Sequence, residues 1–334
     1  MEKDADVPSQ EILPALAADA SLISPVAGGL PEMVRSAGPA AAFAFDEFFA
    51  GRIRNPQTRA SYLHAVRRFL SWAEGRVAAI TDITPGLIGA YFDQHPGAIP
   101  TRKQHLAALR AFFDALVIRH VVVLNPAASV RGERYNVVEG KTPEISPDQV
   151  RQLLASIRTD TPVGRRDRAL IATLVYTSVR AGAAAALRIK DFQWDGTQFT
   201  FRFHEKGGKS RLIPVRHDLQ AYLLDYLDCI DWQSQPQDSP LFRSAAGRTG
   251  QLTGRPIRNV DVCRLVKRRL RAAGLPTHLS PHSFRVATIT DLLTHGVPLE
   301  DVQYLAGHAD PRTTRLYDRR QKKVTRNIVE KISI

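Results

Sequence analysis

The sequence predicts a mainly α-helical protein with one small antiparallel β-sheet, an α+β class, divided into two domains. Three observations carry that prediction. A capping residue followed by proline recurs at Asn55-Pro56, Thr84-Pro85, Ser146-Pro147, Ser280-Pro281 and Asp310-Pro311, the pairing that starts helices. One region alone alternates as a strand does: Phe199, Phe201 and Phe203, between turns at Asp195-Gly196 and Gly207-Gly208. Residues 125–146, NPAASVRGERYNVVEGKTPEIS, have no periodicity and are rich in turn formers, which separates the two halves.

Taken in order, residues 1–40 are rich in Ala, Pro, Ser and Gly and read as a mobile tail. Residues 41–130 read as a bundle of about four helices. One lies near Phe45–Phe49, and a second follows Asn55-Pro56 with Leu63, Val66, Leu70 and Ala73 on one face. A short third runs from Thr84-Pro85 through Tyr91 and Phe92. Thr101 opens the last, with Leu106, Leu109, Phe113 and Leu116 at helical spacing and Arg102 and Lys103 in its first turn. A linker over 131–146 leads to a second domain, 147–334. Its start, Ser146-Pro147-Asp148-Gln149, reads as a capping box with proline in the first turn. Helical patterns run to about Leu187, the β region follows, and helices return to the end. Gly307 is placed to stop a helix over Pro298–Ala306 in a left-handed turn, and Asp310-Pro311 to start a short one carrying Thr313, Thr314 and Tyr317.

A chain of 334 residues suits two domains, and 44% apolar with 24% charged residues is a globular composition. No apolar run reaches the roughly 18–20 residues that span a bilayer. The start, MEKDADVPSQ, lacks a secretory pattern, and the two cysteines, Cys229 and Cys263, have no metal-ligand spacing; a reducing, cytoplasmic setting is expected. Net charge is +13, and its distribution is uneven. Residues 1–40 hold 2 basic and 6 acidic side chains, 41–140 hold 12 and 8, and 141–334 hold 32 and 19. Runs such as KRRLR at 267–271 and RRQKK at 319–323 point to a polyanion, with a merely solvated basic face as the competing reading.

Phosphodiester chemistry needs a nucleophile, cationic donors for the non-bridging oxygens and a proton donor for the leaving oxygen. A tyrosine serves as nucleophile, but a phenol ordinarily titrates near about 10, so it needs cations or a base beside it. "LAGHADPRTTRLYDRR", Leu305–Arg320, places Tyr317 among arginines, nine residues after His308. "LSPHSFR" puts His282 and Arg285 one helical turn apart near a helix N-terminus. "YTSVRAGAAAALRIKDF" has Arg180 leading a run of small residues, and "HEKGGKSRLIPV" has Lys206 at the mouth of a hairpin turn. Singly, each has an ordinary alternative as a packed tyrosine, a cap or a solvated charge.

Together, in order and spacing, the four segments resemble the tyrosine recombinase (phage integrase) family. Its pattern is an Arg after a Y-x-T-G-x-R-like phrase, a hairpin Lys, H-x-x-R, then G-H followed by Tyr. Arg180, Lys206, His282 with Arg285, His308 and Tyr317 stand at those positions. The resemblance implies a helical core-binding domain over 41–130 and a catalytic domain over 147–334 whose tail, VTRNIVEKISI at 324–334, docks on a neighbouring protomer. It implies that Tyr317 forms a 3′-phosphotyrosyl bond and that Arg180 and Arg285 neutralise the transition state. Lys206 would protonate the departing 5′ oxygen, His282 act as acid and base for the nucleophile, and His308 bond a phosphate oxygen. Lys209 is the alternative to Lys206. Arg102, Lys103, Lys209 and Arg211 are expected DNA contacts.

The implied partners are double-stranded DNA at specific core sites and three further copies in a tetramer on two duplexes. There is room for accessory DNA-bending proteins, and neither metal nor cofactor is implied. The short acidic N-terminus points to a member of the Xer, plasmid or transposon sort. Two departures stand out: Ala183 replaces the acidic residue usual three positions after the first Arg, and Thr177-Ser178 replaces Thr-Gly. The alternatives are type IB topoisomerase-like relaxation and a DNA-binding relative without catalysis.

Overall fold

The computed structural model describes residues 28–134, 142–204 and 210–317. Lys206, Lys209, the run at 319–323 and the segment 324–334 lie outside the described residues. Contacts divide the chain into two units, 1–136 and 137–334.

The first unit holds α1 (Glu32–Ser36), α2 (Pro39–Asp46), a π-helical turn at Glu47–Arg52, α3 (Pro56–Ala73), α4 (Pro85–Asp93) and α5 (Ile99–Ile118). The expected tail is therefore too long. Within it α1 and the start of α2 are helical, and Met33 and Val34 are buried against the core that contains Phe45 and Phe49. Two apolar side chains are too few to register as a period, yet they suffice to anchor one helical turn. In α3 the Asn55 side-chain oxygen accepts from the N–H of Gln57 at 2.9 Å and of Thr58 at 3.2 Å, and Pro56 occupies a position with no donor to lose. The face of α3 that packs inward is Val66, Phe69, Leu70 and Ala73. Helix α5 starts at Ile99, two residues before the expected Thr101, because Pro100 takes the first turn. The core is aromatic and packs edge to face, as between Phe45 and Phe112 at 6.0 Å and 84°.

At the margin of this core His95 and His105 are each 5% exposed. The Gly97 N–H donates to His95 Nδ1 at 2.9 Å, so that nitrogen carries no proton in the pair. His95 Nε2–H then donates to His105 Nδ1, also at 2.9 Å. Burial and the positive charge of Arg68 hold His95 below its ordinary pKa; burial and the neighbouring His95 push His105 down to about 4.

The second unit holds α6 (Pro147–Ser156), α7 (Pro162–Tyr176), α8 (Ala181–Ala185), the strands β1 (Phe192–Trp194), β2 (Phe199–His204) and β3 (Ser210–Pro214), and α9 (His217–Leu227). Then come β4 (Arg243–Ala245), β5 (Leu252–Pro256), α10 (Asn259–Ala272), α11 (Pro281–Thr294), α12 (Leu299–Ala306) and α13 (Pro311–Arg315). The capping box forms: Ser146 Oγ accepts from the Gln149 N–H at 3.2 Å, and Gln149 Oε1 from the Ser146 N–H at 3.0 Å. β1, β2 and β3 make one antiparallel sheet in that order, with Phe201 opposite Ile213 and Phe203 opposite Arg211. The antiparallel β4–β5 pair was not expected, since its residues do not alternate and three of its outer positions are exposed.

Helix α7 runs through the centre, with Ala169–Val175 wholly inside. Asp167, also buried, accepts from Arg166 at 2.8 Å, Arg268 at 3.0 Å and Arg269 at 2.8 Å. So Arg268 and Arg269 of the basic run at 267–271 already hold an internal partner. A smaller cluster, Ile289, Leu293, Val302 and Ala306, packs apart from the main core and supports Tyr317. Among the described residues no helix is long and apolar enough to cross a membrane.

Candidate active site

Four segments of the second unit converge on one spot. Helix α11 brings His282 and Arg285. Its start is fixed by Pro281 in the first turn and by the Ser283 hydroxyl, which accepts from the Ser280 N–H at 3.1 Å. Helix α12 ends in a Schellman motif: the Gly307 N–H bonds the Tyr304 carbonyl at 3.0 Å and the His308 N–H that of Gln303 at 3.2 Å. Gly307 has φ +63, a left-handed conformation that glycine adopts without strain. The turn is pinned again by Gln303 Nε2, which donates to the His308 carbonyl at 2.9 Å. Asp310 caps α13 by accepting from the Arg312 N–H at 2.8 Å. Tyr317 sits just past the end of α13, its N–H on the Thr314 carbonyl at 3.0 Å, and its own carbonyl accepts from Thr290 Oγ1 at 3.2 Å.

These elements place Tyr317 Oη 2.9 Å from His282 Nε2. The ring of Tyr317 stacks on His308, 5.5 Å between centroids at 11°. His308 is buried, with Nδ1 2.9 Å from Thr314 Oγ1. Loss of solvent comes first, then the charges of Arg285 and Arg180; together they lower the His282 pKa and push that of His308 down to about 3. Both imidazoles are neutral at pH 7, so His282 Nε2 is free to accept the phenolic proton.

Arg285 is 1% exposed, the largest fully buried side chain among the described residues. One arm, Nη1, donates to the Ser178 carbonyl. Nε and Nη2 are buried with no hydrogen-bond partner. Burial, then the like charge of Arg180, lowers its pKa. A dry guanidinium with two open donors is costly, and an anion between Arg285 and Tyr317 would satisfy both.

Arg180 is exposed at the N-cap of α8. Its carbonyl accepts from the N–H of Ala183 at 2.9 Å and Ala184 at 3.0 Å, the bonds that open α8 and fix its backbone. Ala183 packs its methyl against the core. Ser178 takes a left-handed φ of +53 and is fully buried, which accounts for glycine in the related pattern.

The structure brings Arg180, His282, Arg285, His308 and Tyr317 together, while Lys206 and Lys209 lie outside the described residues. The expected DNA contacts divide. Lys103 is exposed on α5. Arg102 is ion-paired to Glu133 at 2.8 Å and only partly exposed. Arg211 corrects the expectation: it is 6% exposed, on the inner face of β3 beside Ile213, with its guanidinium 5.5 Å from the Phe203 ring centre. Its Nη1 donates to the Tyr304 carbonyl at 2.8 Å and to that of Leu305. The sequence reading also missed Ser178, Thr314 and Gln303 as partners of the site; Ser178 had a signal in standing where the related pattern has glycine, and Thr314 in its place on the short helix before Tyr317, while Gln303 had none.

Comparison with known proteins defines the class. Residues 143–323 match the Phage integrase family, and the chain belongs to it. It is a tyrosine-type site-specific recombinase. The tyrosine recombinase XerC of Actinobacillus succinogenes is 31% identical over 212 residues, covering 64% of this chain and 68% of that one. The solved structure of the XerH site-specific recombinase bound to palindromic difH substrate, a post-cleavage complex, shares the fold at TM-score 0.65 and 20% identity, over 86% of this chain and 83% of that one. A lambda integrase tetramer bound to a Holliday junction shares it at TM-score 0.61 and 17% identity, over 85% and 79%.

Proposed function

We propose that this chain cleaves and rejoins DNA at specific core sites through a 3′-phosphotyrosyl intermediate on Tyr317, and exchanges strands by way of a Holliday junction. The contact that carries the reading is the 2.9 Å hydrogen bond from the Tyr317 hydroxyl to a neutral His282, beside the two open donors of Arg285.

In the step, the scissile phosphate lies against Arg285 Nε and Nη2, with Arg180 on its exposed side. Tyr317 Oη bonds to phosphorus while its proton passes to His282 Nε2. The P–O5′ bond breaks, and the departing oxygen takes a proton from Lys206. The two guanidiniums match the charge that grows on the non-bridging oxygens, and His308, held by Thr314, faces the same phosphate. Energy is kept in the phosphotyrosine, so the 5′-hydroxyl of a second strand reverses the chemistry onto a new partner. The lambda tetramer on a Holliday junction and the XerH–difH complex support a tetramer on two duplexes. The first unit would grip the core site, with Lys103 among its contacts, and the excess of positive charge in residues 141–334 suits a polyanionic ligand.

A nicked suicide duplex built from DNA flanking the gene tests the reading. The wild-type chain should form a covalent protein–DNA adduct without added metal, and Tyr317→Phe should bind the duplex equally but form none. A mobility shift without any adduct from the wild-type chain, or relaxation of supercoils by a monomer without exchange, would replace it.

A further inference from the structure

We propose that Arg211 is a positioning residue: a clasp from β3 to the last turn of α12 that holds the segment bearing His308 and Tyr317 in register with Arg285. The inference rests on Tyr317 being the nucleophile, but concerns a residue outside the family pattern quoted above.

The argument starts from the carbonyls at the end of α12. A helix leaves its last carbonyls without intrahelical donors. The Schellman motif supplies two: His308 N–H to Gln303, and Gly307 N–H to Tyr304. Arg211 Nη1 adds a second donor to Tyr304 and supplies one to Leu305. Its positive charge also sits at the negative end of the helix. These carbonyls come three and two residues before Gly307, and four and three before His308, so a shift there moves the stacked His308 and Tyr317 rings together.

The rest of the segment is lightly attached to the main core. Val302 and Ala306 pack with Ile289 and Leu293 in the separate small cluster that supports Tyr317, and only Leu305 of α12 reaches the main one. Arg211 is the side chain that ties α12 to the sheet from the opposite direction. Its buried stem lies on the face of β3 that also carries Ile213, anchored in the main core. Strand β3 pairs with β2 in the three-stranded sheet, so one guanidinium links that sheet to the nucleophile segment.

The test compares Arg211→Ala and Arg211→Lys with Leu212→Ala, a neighbour whose side chain faces outward on the same strand, and with Tyr317→Phe. In the free full-length chain, amide exchange of His308 and Tyr317 should accelerate at least about tenfold in Arg211→Ala and by less in Arg211→Lys. Exchange in α7 and α3 should stay at wild-type rates. On the suicide duplex, the first-order rate of adduct formation should fall about a hundredfold in Arg211→Ala and about tenfold in Arg211→Lys. DNA affinity should stay within about threefold, and Leu212→Ala should match wild type. If Arg211→Ala does not fold, Arg211→Lys decides alone: wild-type exchange and wild-type cleavage overturn the clasp. Acceleration of exchange throughout the second unit also overturns it, since that marks a general structural role. An adduct formed by Tyr317→Phe would instead sink the reading of the nucleophile.

Discussion

Each unit of this chain buries a histidine system, and the difference between them separates a site from a core. In the first unit Gly97, His95 and His105 form a relay in which both nitrogens of His95 and Nδ1 of His105 have a donor or acceptor to match. In the second, His308 is matched by Thr314, but beside it Arg285 keeps two buried donors with nothing to receive them. Both places depress imidazole pKa values, to about 4 for His105 and about 3 for His308. A shifted titration therefore marks burial in either unit. Two unspent donors on one buried guanidinium mark the second.

The largest effect should come from removing that capacity. Arg285→Met should lower the rate of adduct formation by at least about a thousandfold, since it deletes the two open donors that the proposed step sets against the phosphate. The same change should raise unfolding stability by about 1–3 kcal/mol, because a dry, unpaired charge becomes a packed apolar chain. Denaturation with and without DNA checks both. A variant that loses activity and stability together would show that Arg285 is structural, and the contrast between the two units would fail.

Acid should act on both histidine systems, in the direction set by linkage. His105 and His308 have folded pKa values below the ordinary 6.5, so below that pH the unfolded chain binds protons that the native chain refuses. Stability is intact above pH 6.5 and falls as pH drops. The limit is about 3 kcal/mol by pH 4 for His105 and about 5 kcal/mol by pH 3 for His308, at roughly 1.4 kcal/mol per unit. Amide exchange followed in α3 and α5 should show this acid limb, and His105→Gln should flatten it there without altering the limb in α11. An unchanged acid limb in His105→Gln would mean that the relay is not what titrates.

The smallest effect concerns Ser178. Its left-handed backbone is strained for serine, so Ser178→Gly should stabilise the second unit by about 0.5–1 kcal/mol, after allowing for the freer unfolded glycine. Cleavage should stay within about twofold, because the atom that Arg285 uses is the carbonyl, which glycine retains. A large gain or loss of rate would show that the buried hydroxyl takes part.

What the sequence revealed, and what it hid, follows from whether a feature is local. Caps at Asn55, Ser146 and Asp310 and the stop at Gly307 rest on neighbours within a few residues, and they stood where expected. That Arg180, His282, Arg285, His308 and Tyr317 would gather was legible because each stands in a short motif of its own. Arg211 was misjudged because strand alternation says which residues share a face, not which face is inside. Leu212 is 48% exposed and Arg211 6%, the reverse of their polarity, since carbonyls of α12, distant in sequence, needed a donor. Helix α1 was missed because Met33 and Val34 are buried by aromatic residues that come later in the chain.

The small cluster of Ile289, Leu293, Val302 and Ala306 has a thermal consequence. Four side chains bury little surface, so the ledge that carries the phenol should soften before the main body does. On heating, catalysis should then fade at temperatures where circular dichroism still reports an intact fold, and it should return on cooling.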